Sequence, residues 1–391
     1  MKLIPIRSVI ASRRAPYAVL VLSALASIGS LAQSVDERLG LPTEIRNAQL
    51  PDIRLSALGE RLFFDKRFSA DGSVSCATCH QPSHAFTDGS SKARGLAGKL
   101  GTRNAPSLYN ASLVDDQFWD GRQRSLEDQA LEPFVNPIEH GLHDHGAVLK
   151  VIRRDPIYVR DFQVVFGASR PAINMEHVAK AIAAFERSLA SGNSAFDRYY
   201  YSHDKGALSL EAVRGLTLFS GRAQCTTCHS IAPQGAAFSD GQFHSLHIGM
   251  SRIEKQLPNL VQRVVKLKSD GHSVAEIVLS DADIAELGRF VVTLQPSDIG
   301  KFRTPSLRNV ALTAPYMHDG SVDTLEAAID QEIYYRTAQS GRPLILTPQE
   351  KADLVAFLRS LTSQRALSPA SLRDYSAKRG PDNTRSMRAM R

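Results

Sequence analysis

The sequence has no apolar run long enough to span a bilayer, a single tryptophan and only four cysteines in 391 residues. The apolar stretch from Tyr17 to Ala26 is shorter than the ~20 residues a membrane helix needs, which excludes a polytopic membrane protein. Glycine (25) and proline (19) are too sparse for a collagenous or low-complexity chain, and 43% hydrophobic residues suit an ordinary globular one. Long alternating patterns of the kind strands require are missing, so the fold class expected is mainly α. The net charge of +7 is confined to the two ends. Lys2, Arg7, Arg13 and Arg14 precede the first acid, and six Lys/Arg face Asp374 and Asp382 in the tail. With the middle close to neutral, a basic nucleic-acid-binding face has no support.

The basic start, the apolar run and the small-x-small triplet Ser30-Leu31-Ala32 read as a secretory signal peptide over residues 1–32, cleaved after Ala32. Export to the periplasm is therefore expected, with no membrane attachment once the leader is removed. An exported chain with four cysteines would by default form disulfides. Here they occur instead as Cys76-Ala-Thr-Cys79-His80 and Cys225-Thr-Thr-Cys228-His229, the pattern of c-type haem attachment. Two thiols bind the porphyrin covalently and the adjoining histidine ligates iron. A zinc ribbon would bring its two pairs within about 15–20 residues of each other, far closer than these. The cofactors expected are two covalently bound c-type haems.

Apolar residues at helical spacing mark Leu55–Phe64, Asn174–Leu189, Leu208–Phe219 and Asp281–Leu294. Thr347-Pro348-Gln349-Glu350 carries a helix start signal, and Asp323 with Glu326 opens another helix through Tyr335. The arrangement expected is two cytochrome c-like haem domains, residues 33–173 and 174–365, followed by a basic, disordered tail at 366–391. Similarity between the halves beyond the haem motif is weak, and Pro233–Gly271 carries no legible function.

Between Arg103 and Gly141 lie Arg103-Asn-Ala-Pro-Ser-Leu, Gln117-Phe-Trp119-Asp-Gly-Arg122, Gln129, Pro133 and Asn136-Pro-Ile-Glu139-His140-Gly141. Later come Phe302-Arg-Thr-Pro-Ser-Leu-Arg-Asn-Val and Ala314-Pro-Tyr-Met-His318-Asp-Gly320. With the two haem motifs, these segments resemble the bacterial di-haem cytochrome c peroxidases and their MauG-type relatives, from about Leu55 to Leu361. The resemblance implies that Glu139 is the distal carboxylate handling peroxide protons at the first haem, with Gln129 beside it and Pro133 over the open iron face. It implies that Trp119 relays electrons between the haems. Asn104, Thr313 and Pro315 match positions around a calcium ion, which takes oxygen ligands. His140, His143 and His145 read as a polar loop.

Two departures from the family matter. Its peroxidases carry a distal histidine before Arg-Asn-Ala-Pro, where this sequence has Leu96, so the first iron should be open without reductive activation. On the second haem they carry a Met ligand where strict spacing puts Glu332. MauG-type members place a Tyr there, and Ile333-Tyr334-Tyr335-Arg336 matches if two residues are inserted. Tyr334 is then the expected sixth ligand and Tyr335 the second choice. Hydrogen peroxide is the expected substrate, with electrons from a small cytochrome c or cupredoxin. Oxidation of residues in a partner protein, as in cofactor maturation, and a non-catalytic electron-transfer cytochrome are the alternatives. A homodimer is left open.

Overall fold

Local side-chain chemistry starts most of the longer helices. Asp52 accepts from the Arg54 amide at the head of α1 (Ile53–Phe64). Ser125 accepts from Asp128 N before α2 (Leu126–Val135), and Asn174 from His177 N before α3 (Met175–Ser188). Ser209 does the same for Ala212 N at α4 (Leu210–Ser220). The helix α5 (Leu257–Ser269) has proline in its first turn. Thr324 accepts from Ala327 N at α6 (Leu325–Ser340). The reciprocal Thr347–Glu350 box starts α7 (Pro348–Ser360) where the sequence predicts it. Each such cap contributes about 1 kcal/mol. The computed structural model describes residues 36–49, 51–341 and 343–367. The expected leader, and all of the basic tail beyond Leu367, lie outside them. Among the described residues no helix is long and apolar enough to cross a membrane. The sheet is a two-residue ribbon in which β1 (Phe243–His244) runs antiparallel to β2 (Phe302–Arg303), with Phe243 opposite Arg303.

Two helix crossings organise the core. α1 packs on α3 and α4 packs on α7. At each crossing a glycine lets backbones touch: a Cβ on Gly59 would collide with the Ala181 carbonyl, and one on Gly215 with the Asp353 carbonyl. Around the first crossing gather Leu58, Leu62, Phe134, Ile152, Phe162 and Ile182. Around the second gather Phe196, Phe219, Phe238, Leu354 and Phe357. Because α3 belongs to the first cluster, the boundary expected at residue 173 falls too early, inside the first half rather than after it.

The halves are related more deeply than their haem motifs suggest. Pro106 and Pro305, Ser107 and Ser306, Leu108 and Leu307, Asn110 and Asn309, Asp120 and Asp319, Gly121 and Gly320, and Leu126 and Leu325 pair at a constant offset of 199 residues. Backbone conformation follows the same register: Asn110 and Asn309 sit at φ 59° and 61°, Phe118 and Met317 at 64° and 72°, and Gly121 and Gly320 at 66° and 62°. The lead-in differs, with 80 residues from Cys225 to Pro305 against 30 from Cys76 to Pro106. The extra length builds a small core of its own from Ile253, Leu260, Val264, Ile277 and Phe290. Here the expected helix Asp281–Leu294 is replaced by two short ones, Ala282–Ala285 and Phe290–Thr293. Gly288 interrupts it at φ 57°, where it lies against the Lys301 backbone.

Candidate functional site

Both Cys-x-x-Cys-His segments open onto one cavity of about 1180 Å³, lined by all four cysteines, His80 and His229. That volume is above the ~300–1,000 Å³ of an ordinary small-ligand pocket. The thiols are unpaired with one another. His80 Nδ1 lies 3.0 Å from the Phe86 carbonyl and His229 Nδ1 lies 2.9 Å from the Phe238 carbonyl. A backbone acceptor at Nδ1 fixes the ring and presents Nε2 as the metal-binding nitrogen. Burial holds both imidazoles below their ordinary pKa, so they stay neutral and able to ligate. The donor set and the cradle fit two haems, one per half.

On the first half, Asn136 builds the turn that carries Glu139. Its Oδ1 accepts from the Ile138 amide at 2.9 Å, and its Nδ2 donates to Glu139 Oε1 at 2.7 Å. Glu139 lines the cavity. Removal from water pushes its pKa up to about 7, opposed by Arg122 and assisted by Glu132. Arg122 is held by Glu132 at 2.8 Å and by Asp120 at 3.2 Å. Leu126, Gln129, Ala130 and Pro133 all line the cavity, so α2 presents one face to it at the i, i+3, i+4, i+7 spacing of a helix. Neither His84 nor Leu96 reaches the lining. Of the three clustered histidines only His140 is at the site. It is buried, with Nδ1 at 2.9 Å from the Phe68 carbonyl and Nε2 at 4.0 Å from Cys76 Sγ. His143 is exposed.

Trp119 sits where the halves are stitched. Its indole donates to the Asn104 carbonyl at 3.0 Å and its own carbonyl accepts from Arg303 N at 2.9 Å. Arg103 bridges Asp120 at 2.6 Å and the Ala285 carbonyl at 2.9 Å. Asn104, Thr313 and Pro315 line the same cavity. Asn104 Nδ2 donates to the Ser90 carbonyl at 2.8 Å, which leaves Oδ1 as the atom available to a cation.

The tyrosine expectation needs correction. Neither Tyr334 nor Tyr335 lines the cavity. Tyr334 is 67% exposed, and Tyr335 stacks on His247 with its hydroxyl 3.4 Å from that residue's carbonyl. The cavity face of α6 is Leu325, Ala328, Ile329, Glu332, Ile333 and Arg336. Two residues beyond Glu332 is about 200° around the axis, which turns Tyr334 to solvent.

Two further groups were given no role by the sequence. Glu186 on α3 is 4% exposed, lines the cavity, and has Oε2 without a hydrogen-bond partner. Burial pushes its pKa up to about 8. An acid inside an otherwise apolar helical stripe was the available signal. His318 stands at the 199-residue counterpart of Trp119. It stacks on Phe302 with centroids 3.6 Å apart, and its Nε2 lies 2.7 Å from Glu286 Oε2.

Two haem-attachment motifs on one internally repeated helical chain, enclosing a shared cavity with acids on its wall, define the class of di-haem c-type redox enzymes. The comparisons agree. The family model described as "Di-haem cytochrome c peroxidase" matches residues 54–205. Cytochrome-c peroxidase IdrP1 of Denitromonas iodatirespirans is 37% identical over 80% of this chain and 82% of its own. Methylamine utilization protein MauG of Methylorubrum extorquens is 34% identical over 79% and 78%. Among solved structures, a MauG-like protein associated with microbial copper homeostasis superposes with a TM-score of 0.65 at 32% identity, covering 82% of this chain and 92% of that one. The chain belongs to the di-haem cytochrome c peroxidase and MauG family, and is a peroxidase-type oxidoreductase.

Proposed function

We propose that this chain is an exported, periplasmic enzyme that reduces hydrogen peroxide at the first half, drawing electrons through the second from a small cytochrome c or cupredoxin. Cys76, Cys79, Cys225 and Cys228 would hold two haems as thioethers, with His80 and His229 on iron. When bound, the first haem supplies an iron that takes peroxide as a ligand and receives electrons from the second. The protein's part is proton management. Glu139 as carboxylate takes the proton from the near oxygen of peroxide and returns it to the far oxygen as water departs. Gln129, on the facing turn of α2, orients the peroxide, and Pro133 closes that side without offering a donor to iron. Trp119, hydrogen-bonded to both halves, carries the electrons. Calcium at Asn104, Thr313 and Pro315 would brace that junction.

The observation that carries this reading is Glu139, an acid poised at about 7 on the cavity wall. A pure electron carrier has no use for such a group. Reduced cytochrome c consumption by the holoenzyme, started with peroxide, tests the reading: peroxide-dependent turnover is expected, and its absence with every small donor tried would overturn the donor assignment. A second reading, oxidation of a partner protein's residues, draws support from Leu96 in place of an imidazole and from the MauG relative.

A further inference from the structure

We propose that the Glu332 carboxylate is a protein ligand that would hold the iron of the second haem together with His229. The offset that aligns Pro106 with Pro305 and Leu126 with Leu325 aligns Pro133 with Glu332. Pro133 and Glu332 occupy the eighth position of helices that start at equivalent points, and both line the cavity. The two halves therefore hold the same station on the cavity wall, one with a side chain that has no donor atom and one with a carboxylate.

The surroundings of Glu332 point to a cation it has yet to meet. Among the described residues it makes no hydrogen bond or ion pair. Arg336, one turn on, is committed to the Ala223 carbonyl at 2.5 Å and to Gln224 Oε1 at 3.3 Å. Glu332 is a half-buried carboxylate on the cavity wall, and ferric iron would add a positive charge beyond those of Arg336 and His244. Three other donors on the wall are engaged: His244 Nε2 lies 2.7 Å from Asp240, His318 Nε2 lies 2.7 Å from Glu286, and the Tyr316 hydroxyl donates to the Val310 carbonyl at 3.1 Å; Met317, which also lines the cavity, is the rival donor. An anionic oxygen ligand favours ferric over ferrous iron, because axial-ligand identity is a main control of haem potential. The chain would thus keep its second haem oxidisable.

This inference rests on the di-haem reading, and the experiment separates the two. Full-length holoprotein is prepared as wild type, Glu332→Gln, Glu332→Met, Tyr334→Phe and Tyr335→Phe. Haem content per chain is measured with the ferric EPR spectrum and the midpoint potential of each haem. Two haems per chain are expected throughout. Glu332→Gln, which preserves shape, should shift the second haem's EPR signal, and Glu332→Met should raise its potential, while the first haem's signal stays put. The tyrosine variants should match wild type. A second-haem signal unchanged in Glu332→Gln, or one altered in Tyr335→Phe instead, overturns the assignment. Fewer than two haems in wild type overturns the di-haem reading beneath it.

Discussion

Replacing Glu139 by Gln isolates the proton from the shape of the site. The amide keeps an oxygen for Asn136 Nδ2, which donates at 2.7 Å in the wild type, so the turn should survive. What is lost is a group that titrates at about 7. A positioned acid–base side chain contributes about 10²–10⁴-fold, or roughly 2.7–5.5 kcal/mol of activation free energy. The peroxide reaction of the ferric holoenzyme should therefore slow by two to four orders of magnitude. Its pH dependence should change as well. The wild-type second-order rate constant should rise with pH up to about 7, as the carboxylate form becomes populated, and then level. The variant should be flat over the same interval. Stopped-flow mixing between pH 5 and 9 reads both. A Glu139→Gln rate within threefold of wild type, or a variant retaining the inflection near 7, would refute the assignment.

Three other perturbations probe the surrounding physics. Arg122 pulls the Glu139 pKa down, so Arg122→Gln should move the inflection in the wild-type rate profile to higher pH; an inflection that stays or moves lower contradicts the electrostatics. Arg308 and Asp197 form a fully buried pair at 2.9 and 3.0 Å, and Arg308→Met should cost about 3–5 kcal/mol by leaving the carboxylate without a counter-charge, held only by Ser194. Thermal melts should show Asp197→Leu in the same chain recovering much of that loss. Glu186 keeps its proton to about 8 in the folded chain, whereas the unfolded acid loses it above about 4.3. The folded state binds the extra proton, so stability falls as pH rises between those values, by up to about 1.4 kcal/mol per unit. Glu186→Gln should flatten that decline in denaturant titrations, and an identical slope would count against the burial.

The chemistry was legible where residue identity and spacing are themselves the chemistry. Two cysteines three apart followed by histidine are a local fact, and both such segments line the cavity; the hold of Asn136 on Glu139 is seen only in the structure. The helices at Leu210–Ser220 and Pro348–Ser360 were equally readable, because an apolar stripe and a capping serine or threonine act over a few residues. Failures came where distant contacts decide. Gly288 breaks an apolar run that looks helical because the Lys301 backbone approaches from another part of the chain. The helix Leu257–Ser269 carries Leu257, Leu260, Val261, Val264 and Leu267 at helical spacing, a signal the surrounding irregular stretch from Pro233 obscured. On α6, a tyrosine pair in a family context outweighed the helical phase that sends Tyr334 outward and Glu332 inward. The 199-residue repeat lay in the sequence throughout, but seven scattered matches carry little weight until paired φ values give them a common backbone.

The claim beneath all of this is that the iron held by His80 is accessible to peroxide and faces Glu139. Ferric EPR of the full-length holoenzyme, recorded before and immediately after one equivalent of hydrogen peroxide, tests it most directly. The account predicts a high-spin signal from the first haem at rest that is lost promptly on mixing. Two low-spin haems that ignore peroxide would contradict it and leave an electron carrier.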